Sequence, residues 1–302
     1  MSELEFDQFC KHYPFKDCKS INEVGNAQIF KVIKADGLLV AVKKTARLKE
    51  DKFAENERHI HRFLGSSRYT TNFYDSCMTN SHVYIAMEYC QWGSLYNFMK
   101  DFFPEGLITL QHSDFAEILL EMLQCIEFLH SKGIVHRDIK PDNFLISNRG
   151  QIKLCDFGFS SMLEDFENLY CGTADFIAPE IIEEHLLDES KQHRVGNPVD
   201  IWAFGISAYE LAYIETPWVE KNVPNEAVVA KIGKMLLNSY KYPYFDLPTK
   251  DNPSLDCLLQ ACLTIDPDCR ITAEELLKQR PHFLQHFSGN EYLFLVKFFN
   301  CA

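Results

Sequence analysis

The sequence predicts an α+β fold of two lobes, in which a small strand-rich N-terminal lobe with one main helix precedes a larger, mostly helical C-terminal lobe. Two observations support this fold class. Before Gln91-Trp92-Gly93 the apolar residues occur in short runs broken by turn residues, and after it they recur at helical spacing. Apolar residues make up 46% of the 302 residues, which is enough for a substantial core.

The N-terminal part contains a predicted hairpin, a helix and a further strand. Ile29–Ile33 and Leu38–Val42 are short apolar runs, and Ala35-Asp36-Gly37 between them is typical of a turn, so we expect an antiparallel pair. Apolar positions recur on one face of Leu48–Leu64, which predicts an amphipathic helix. Val83–Tyr89 predicts the next strand.

The C-terminal part is predicted to be mainly helical. Helical spacing extends over four segments, which are Ser94–Phe103, Ser113–Ser131, Pro198–Ile214 and Thr272–Lys278. Ser113 or Asp114 is the expected N-cap of the second segment, and Thr272 with Glu275 has the pattern of a capping box. The polar stretch Glu183–Asn197 is predicted to be a surface excursion.

Composition argues against several classes of protein. The formal charge of -13 speaks against broad binding of nucleic acid or anionic membrane, so neither is expected as a partner. The 11 cysteines are odd in number and scattered, which predicts reduced thiols in the cytoplasm, with the nucleus as the alternative compartment. The first residues lack the apolar core of a signal peptide, and no apolar run is long enough to span a membrane.

The strongest chemical signal is the run His136-Arg137-Asp138-Ile139-Lys140-Pro141-Asp142-Asn143, which Asp156-Phe157-Gly158 follows. Composition alone also fits an ordinary polar loop. However, phosphoryl transfer needs a carboxylate that accepts a hydroxyl proton and oxygen ligands for magnesium. The first loop offers a carboxylate and an amide oxygen, and the second offers another carboxylate beside a glycine that lets the backbone bend.

In the order and spacing of its motifs the chain resembles the eukaryotic-type protein kinase family, of the serine/threonine class. The motifs that carry the resemblance are HRDIKPDN at 136–143, DFG at 156–158, Ala178-Pro179-Glu180, Asp200–Gly205 and Arg270. The resemblance implies a kinase domain over residues 15–283, with an N-lobe at 15–88, a hinge at 88–92 and a C-lobe at 93–283. Residues 1–14 would then be an N-terminal extension and residues 284–302 a tail, with a helix expected over Tyr292–Phe299.

The resemblance assigns a role to each residue of the catalytic motifs. Asp138 would be the catalytic base, and Lys140 would damp the charge of the transferred phosphoryl group. Asn143 and Asp156 would hold Mg²⁺, with Mn²⁺ as the alternative ion. Thr173 would hydrogen-bond near Asp138 and Lys140, and together with Lys140 it indicates serine/threonine rather than tyrosine specificity.

The strand Val40-Ala41-Val42-Lys43 resembles the third-strand motif of the family, which would place Lys43 at the α- and β-phosphates of ATP. A lysine at a strand end is, on residue type alone, more often simply solvated. Lys43 needs an acidic partner on the following helix. The pattern Glu-x-x-Ile favours Glu57, and Glu55 is the alternative.

The phosphate-binding loop departs from the family pattern GxGxxGxV. Gly25 and Val32 match it, but Ala27 and Phe30 stand where the second and third glycines belong. Alanine is expected to be tolerated in an extended turn whose N–H groups still point at phosphate, and Phe30 could cap the site. The departure bears on the affinity for ATP rather than on the fold.

The same resemblance assigns the adenine pocket. Met87 would stand at the gatekeeper position, and Glu88 and Cys90 would offer backbone groups to adenine, with Cys155 nearby. The apolar slot would be lined by Val32, Ala41 and Leu145. The full set of cofactor-binding residues that the resemblance implies is Val24, Gly25, Val32, Ala41, Lys43, Glu57, Met87, Glu88, Cys90, Leu145 and Asp156.

His61, four residues after Glu57, occupies a position where the family usually has a hydrophobic side chain stacked on the residues corresponding to Phe157 and His136. We expect a stacked histidine and hypothesise that its protonation makes the alignment mildly pH-sensitive, since burying the charged form costs free energy. A packed histidine that does not titrate is the alternative.

The segment from Asp156 to Glu180 would receive the substrate. Its position most often phosphorylated in relatives is Leu169, and the remaining candidate acceptors are Ser160, Ser161 and Tyr170. We hypothesise that fixed carboxylates neutralise Arg137 without a phosphate, namely Glu164, Asp165 and Glu167. A solvated acidic run is the alternative.

Several charged residues are expected to support this segment or to contact the substrate. Glu180 and Arg270 resemble a buried ion pair, and Asp200 would brace the catalytic loop. Asp142 and Glu210 match positions where some relatives carry acids that read basic substrate residues. A protein substrate with arginine or lysine near the target hydroxyl is therefore expected.

The sequence thus predicts a monomeric serine/threonine protein kinase that transfers the γ-phosphoryl group of ATP to a protein hydroxyl. The alternative is a pseudokinase or scaffold with weak nucleotide binding, which Ala27 and Phe30 favour. A small-molecule phosphotransferase is disfavoured, because the segment Thr173–Glu180 suits a peptide substrate.

Overall fold

A computed structural model describes residues 3–16, 18–24, 26–47, 53–106, 112–163, 171–186, 196–218 and 253–279. The chain divides into two compact units. The first unit contains Met1–Gly93 and Leu145–Ser160, and the second contains Ser94–Phe144 and Ser161–Ala302. The first unit is rich in strands and the second is mainly helical, as the sequence predicted.

The first unit is built on an antiparallel sheet. Its strands are β1 (Ser20–Val24), β2 (Ala27–Ile33), β3 (Leu39–Ala46), β4 (Phe73–Met78) and β5 (His82–Glu88), in the spatial order β1-β2-β3-β5-β4. The predicted hairpin is confirmed as β2 and β3. In its turn Gly37 has φ of 83°, a conformation that favours glycine. The sequence did not predict β1 and β4, because neither shows a clear alternation of apolar and polar residues.

Helix α1 (Glu3–His12) covers one face of this sheet. An aromatic core joins the helix, the residues after it and the strands, and its buried members are Phe9, Tyr13, Phe15, Val32, Val40, Val42, Cys77, Tyr84 and Ala86. The rings of Phe15 and Tyr84 lie 5.3 Å apart, within the range of favourable aromatic contact. The stretch 1–14, which the sequence prediction treated as an extension, therefore contributes to the core of the first unit.

Helix α2 (Phe53–Leu64) packs on the opposite face, where Ala54 contacts the cluster that contains Val83 and Ile85 of β5. Its buried residues recur every three or four positions and are Ala54, Glu57, Ile60, His61 and Leu64. The predicted amphipathic helix is confirmed from Phe53 onward, and residues 48–52 lie outside the described residues.

Four short strands follow in the chain, β6 (Ile134–Val135), β7 (Phe144–Ile146), β8 (Ile152–Leu154) and β9 (Ser161–Met162). Strand β6 pairs with β9, and β7 pairs with β8. The N–H of Leu154 donates to the carbonyl of Tyr69 at 2.9 Å, and the N–H of Thr71 donates to the carbonyl of Leu154 at 3.0 Å. These bonds fix the strand that leads to Asp156.

Among the described residues, the helices of the second unit are α3 (Leu95–Phe102), α4 (His112–Ser131), α5 (Pro179–Leu186), α6 (Asn197–Tyr213), α7 (Pro253–Cys262) and α8 (Ala273–Lys278). Helix α6 is apolar on nearly all sides and is buried along most of its length. A Cβ at Gly205 would lie 2.8 Å from side-chain atoms of Cys262 and Leu263. Glycine at this position therefore allows α6 to approach the end of α7 closely.

The helix caps agree with the sequence in one case and not in another. Thr272 and Glu275 form the predicted capping box at the start of α8. The predicted cap at Ser113 or Asp114 is wrong, because α4 already begins at His112. Both residues lie in its first turn, where the carboxylate of Asp114 is favoured by the helix dipole.

Two predicted features fall largely outside the described residues. The expected surface excursion Glu183–Asn197 is helical up to Leu186, and residues 187–195 are not described. The expected helix Tyr292–Phe299, with the rest of the tail, also lies outside them. Within the described part of the chain, no helix combines the length and apolar character needed to cross a membrane.

Candidate active site

Lys43 of β3 is the centre of a charged cluster in the first unit. Its Nζ lies 2.7 Å from Glu57 Oε1 on α2 and 2.8 Å from Asp156 Oδ1. Glu55, the alternative partner, instead contacts Arg47 at 2.6 Å. Glu57 lies on the buried stripe of α2 and Glu55 does not, which explains the choice.

The two carboxylates stabilise the positive charge of Lys43, which is only 8% exposed. Burial alone favours the neutral amine, but Asp156 and Glu57 outweigh it and raise the pKa of Lys43 above its ordinary value. The side chain is therefore a fixed cation at neutral pH.

Asp156 has a backbone φ of 64°, which is unfavourable for a residue with a side chain. Bonds on both sides hold it there, since Leu154 is tied to Tyr69 before it and Ser160 N–H donates to the carbonyl of Phe157 after it at 3.1 Å. One carboxylate oxygen of Asp156 contacts Lys43, while 38% of its side chain remains exposed. The carboxylate can therefore also reach a bound ligand.

His61 packs as a neutral ring. Its centroid lies 5.1 Å from that of Phe157, and its Nε2–H donates to the carbonyl of Thr71 at 2.7 Å. Burial lowers the pKa of His61 to about 4. The expected contact with Phe157 is confirmed, with the two rings tilted at 55°. The lowered pKa speaks against the hypothesis of pH-sensitive alignment near neutrality.

A second polar cluster surrounds Asp138 in the second unit. Its Oδ1 accepts hydrogen bonds from the Thr173 hydroxyl at 2.8 Å and from the Thr173 N–H at 3.1 Å. Its Oδ2 lies 2.8 Å from Lys140 Nζ and accepts from Asn143 Nδ2 at 2.9 Å. Lys140 also donates to the Thr173 hydroxyl at 2.6 Å. The structure thus gathers the four residues predicted to be catalytic into one hydrogen-bonded cluster.

Two hydrogen bonds from Nδ2 of Asn143 to Asp138 orient the side-chain amide. Besides Asp138 Oδ2, its Nδ2 donates to the backbone carbonyl of Asp138 at 2.7 Å. Both N–H bonds of the amide are used in this way, which leaves its oxygen for another ligand. The 3₁₀ turn Pro141–Asn143 supports this geometry, since proline at its start has φ already restricted.

Asp200 braces the backbone of the loop that carries Asp138. Its carboxylate accepts from the N–H groups of His136 and Arg137, both at 2.8 Å, and from the ring of His130 at 2.9 Å. Burial opposes the charge, but these hydrogen bonds outweigh it and lower the pKa of Asp200. The predicted bracing role is confirmed as a structural contact.

The loop carrying Asp138 also contacts the segment that carries Thr173. Arg137 has φ of 65°, and a Cβ at Gly172 would lie 2.6 Å from its carbonyl oxygen. Only glycine allows this approach, which positions Thr173 beside Asp138. Further along, the predicted ion pair of Glu180 and Arg270 is confirmed, with contacts of 2.7 and 2.9 Å.

Comparison with known proteins identifies the fold family. The sequence profile of the protein kinase domain matches residues 16–282. The chain belongs to the protein kinase family. The liver/testis phosphorylase b kinase gamma catalytic chain of Mus musculus is 30% identical over 229 residues, which are 75% of this chain and 53% of that protein.

Two further relatives of this chain are serine/threonine kinases by name. OSK3 of Oryza sativa subsp. indica is 30% identical over 205 residues, 67% of this chain and 36% of that protein. Kinase dst2 of Dictyostelium discoideum is 34% identical over 213 residues, 68% of this chain and 17% of that protein. This chain therefore spans about half the length of the mouse relative and less of the other two.

Strand register decides which residues of the chain share the face of Lys43. Ala41 lies two positions before Lys43, and Met87 pairs with Ala41, so these side chains lie on the same face. Val32 pairs with Val40 and lies on the opposite face, fully buried in the core beneath α1. The prediction that Val32 and Ala41 line one slot is therefore wrong.

Phe30 also lies on the face beneath α1, with its ring 5.5 Å from that of Phe15, so it does not cap the site as expected. On the Lys43 face, the β2 residue opposite Lys43 is Ile29, and the residue opposite Ala41 is Lys31. The Nζ of Lys31 lies 4.8 Å from the centroid of the Tyr89 ring. Motif matching missed both residues because it fixed Val32 on this face.

From Ala27 onward, the predicted phosphate loop is regular strand. Ala27 pairs with Val24 on one side and with Thr45 on the other, so it lies in a central strand and not in an extended turn. Backbone N–H groups of a central strand are used by its neighbours and do not point at a ligand. Val24 is the last residue of β1, and Gly25 lies outside the described residues.

The residues expected near adenine lie at the end of β5 and in β7. The N–H of Glu88 donates to the carbonyl of Asn72 at 2.9 Å, so a contact with adenine must use its carbonyl. Cys90 is buried, and its carbonyl accepts a hydrogen bond from the N–H of Gly93 at 3.2 Å. A contact of Cys90 with adenine would therefore use its N–H. Leu145 in β7 is half-buried. Burial raises the pKa of the Cys155 thiol, so it is not an activated nucleophile.

The proposed phosphate acceptors near Asp156 divide into two groups. Ser160 is fully buried and Ser161 is 8% exposed, so neither presents its hydroxyl to another enzyme, and their prediction as acceptors is wrong. The third candidate acceptor, Tyr170, and Leu169 lie outside the described residues. The carboxylates expected to neutralise Arg137 also lie outside them, and these are Glu164, Asp165 and Glu167.

An acidic group lies near Lys140. Glu210 on α6 is 9% exposed, and within the described part of the chain its Oε2 has no hydrogen-bond partner. Burial first, and then the nearby Asp142 and Asp175, raise the pKa of Glu210 to about 8. Such a carboxylate would gain strongly from a cationic partner. Asp175 was missed by the sequence argument, because its approach to Glu210 depends on tertiary packing.

Proposed function

We propose that the chain is a serine/threonine protein kinase that transfers the γ-phosphoryl group of ATP to a protein serine or threonine. The observation that carries the proposal is the cluster of Asp138, Lys140, Asn143 and Thr173, in which a carboxylate is oriented by three donors beside a cation. A scaffold on the same fold would not need this arrangement.

The donor set of the described residues fits Mg²⁺, with Mn²⁺ as the alternative. Asn143 uses its amide hydrogens internally and offers its oxygen, and Asp156 offers a carboxylate that is partly exposed. Oxygen ligands of this kind suit hard divalent cations. When bound, the ion would neutralise charge on the phosphates, as in other phosphoryl transfers.

Lys43 would bind the phosphates of ATP. It is a buried ammonium that two carboxylates hold charged, and it is therefore preorganised for an anion. Ala41, Met87 and Leu145 would contact adenine, whose hydrogen bonds would be accepted by the carbonyl of Glu88 and donated by the N–H of Cys90. Because residues 27–30 lie within a strand, fewer backbone N–H groups reach the phosphates, and we expect weak affinity for ATP.

Asp138 would accept the proton of the target hydroxyl while the hydroxyl oxygen forms a bond to the γ-phosphorus and the bond from that phosphorus to ADP breaks. Lys140 lies 2.8 Å from the same carboxylate and would balance the charge that develops. Thr173 joins both groups, which supports assignment to the serine/threonine class.

The acidic group of Asp142, Asp175 and Glu210 supports a protein substrate with arginine or lysine near the target hydroxyl. The unpartnered, nearly buried oxygen of Glu210 is the strongest support, since a guanidinium would satisfy it. A peptide library with no enrichment for basic residues would contradict this preference.

The ten cysteines of the described residues are free, which supports a reducing compartment, and we propose the cytoplasm, with the nucleus as the alternative. We further propose a monomer. Light scattering of the purified chain at micromolar concentration would test this, and a dimer mass would overturn it.

The test of the enzymatic proposal is ATP turnover with a generic protein substrate. Asp138→Asn and Asp156→Ala should each lower turnover by about 10²–10⁴-fold. Asp101→Asn, on the exposed side of α3, is the matched control and should leave it unchanged. Phosphoamino-acid analysis should find phosphoserine or phosphothreonine.

The alternative of a pseudokinase is favoured by the strand that replaces the phosphate loop. If purified wild-type protein shows no turnover above the level of Asp138→Asn, yet binds nucleotide, the chain is a binding protein on the kinase fold. Nucleotide binding is measured by the ATP-dependent shift of the melting temperature.

A further inference from the structure

Helix α2 contacts the segment after Asp156 at three successive levels within the first unit. The rings of Phe53 and Phe159 meet edge to face with centroids 5.0 Å apart. One turn later Asn56 donates from Nδ2 to the carbonyl of Ser160 at 2.6 Å, with the carbonyl of Gly158 at 3.4 Å. At the third level, His61 stacks on Phe157.

The contact of Asn56 differs in kind from the two ring contacts. Aromatic pairs tolerate sliding, whereas a short hydrogen bond to a backbone carbonyl fixes distance and direction. Its acceptor belongs to Ser160, a residue with no exposed surface. Because water has little access there, a hydrogen bond to solvent does not readily replace the one from Asn56.

The position of Asn56 links the two carboxylates of the Lys43 cluster. It precedes Glu57 on α2, and its acceptors lie two and four residues after Asp156. One amide therefore joins the helix that carries one carboxylate to the loop that carries the other. Both carboxylates are in contact with Lys43.

We propose that Asn56 is a positioning residue, which holds Glu57 and Asp156 on Lys43. This inference rests on the proposed function only for its kinetic consequence. The geometric consequence concerns Lys43 alone: when the amide is lost, α2 and the Asp156 loop separate more often, and Lys43 loses its partners.

The test uses the full-length chain after phosphatase treatment. Asn56→Ala removes the donor, and Asn56→Asp is nearly isosteric but presents an acceptor to the two carbonyls. His59→Ala, exposed on the same helix, is the matched control. Leu64→Ala, buried at the end of α2, controls for general destabilisation.

The first measurement is the rate at which an amine-acetylating reagent modifies Lys43, read by mass spectrometry well below the melting temperature. We expect about a 5-fold increase for Asn56→Ala, the factor for one hydrogen bond, and a larger one for Asn56→Asp. The two control variants should match wild type, even though Leu64→Ala lowers the melting temperature.

The second measurement is kcat/KM for ATP, which should fall by a similar factor in both Asn56 variants and not in His59→Ala. Equal Lys43 labelling in wild type and both Asn56 variants would overturn the inference. So would increased labelling in Leu64→Ala to the same extent. If wild type shows no turnover, the proposed function fails, while the labelling rates still decide the role of Asn56.

Discussion

Replacement of Glu180 by glutamine removes the charge that faces a fully buried guanidinium. Arg270 has all five N–H bonds satisfied, two by the carboxylate at 2.7 and 2.9 Å. The other three go to backbone carbonyls, those of Thr264 at 2.8 Å, Pro198 at 2.8 Å and Ile265 at 3.2 Å. The side chains of the pair are 0% and 2% exposed.

The cost follows from this burial. Removing one partner of a buried ion pair leaves the other charge uncompensated, at about 3–5 kcal/mol. Glu180→Gln keeps one acceptor oxygen and should lie near the lower limit, about 3 kcal/mol. Arg270→Met should lie near the upper limit, about 5 kcal/mol, because it strands a carboxylate and three carbonyls at once.

The double variant separates pairing from packing. Glu180→Gln with Arg270→Met leaves no buried charge, so its loss should be smaller than the sum of the two single losses by several kcal/mol. The assay is urea unfolding at pH 7 followed by tryptophan fluorescence, for which Trp202 is well placed, with its ring 5.2 Å from the guanidinium carbon.

The matched control is the exposed pair of Glu274 and Lys278, whose contact of 2.6 Å is as short as the buried one. Glu274→Gln should leave the unfolding midpoint unchanged, because solvent screens that pair. Two results would refute the reasoning: a Glu180→Gln loss as small as that of the control, or single losses that add in the double variant.

Three other predictions concern titration and the strand that replaces the phosphate loop. His61→Leu should keep a pH profile of activity parallel to wild type from pH 6 to 8. The pKa of His61 in the folded protein is about 4, below its ordinary 6.5. The contribution of the neutral ring to the free energy of unfolding is therefore complete above pH 6.5 and is lost as pH falls. Near pH 4, urea unfolding should show that wild type has lost about 3 kcal/mol of stability relative to the variant. The KM for an arginine-containing peptide should fall from pH 7 to 9 as Glu210, with pKa about 8, becomes charged; a flat profile in wild type would contradict this, and Glu210→Gln should be flat. Ala27→Gly with Phe30→Gly restores the family glycines, yet it should lower the melting temperature without lowering the KM for ATP, because both positions lie in β2 and Phe30 packs on Phe15; a tighter KM would show that a loop can form there.

The catalytic cluster could be predicted from the sequence because its residues match motifs of the family one by one. Asp138, Lys140 and Asn143 lie within one short loop, and the resemblance to the family assigned their roles. The pattern Glu-x-x-Ile favoured Glu57 over Glu55, and the buried stripe of α2 agrees with that choice. Where a family motif matches residue by residue, the sequence was sufficient.

The orientation of β2 could not be obtained in this way. Ile29, Phe30, Val32 and Ile33 are all apolar, so alternation does not say which face of the strand is inward. A shift of one residue in register moves every side chain to the other face, and the register here is set by the tight turn around Gly37. Matching Val32 to the family motif therefore assigned it to the wrong face.

The face taken by β2 in turn depends on α1. A helix with Phe9 over the sheet creates an apolar surface that Phe30 and Val32 can enter, and burial of such side chains is worth about 1.5–3 kcal/mol each. A glycine in place of Phe30 would forgo that burial, whereas phenylalanine in a phosphate loop would gain nothing from it. The absence of the family glycines is thus linked to the presence of α1, because α1 provides the apolar surface on which Phe30 is buried. In such an arrangement the binding of the ATP phosphates would depend on Lys43 rather than on backbone N–H groups.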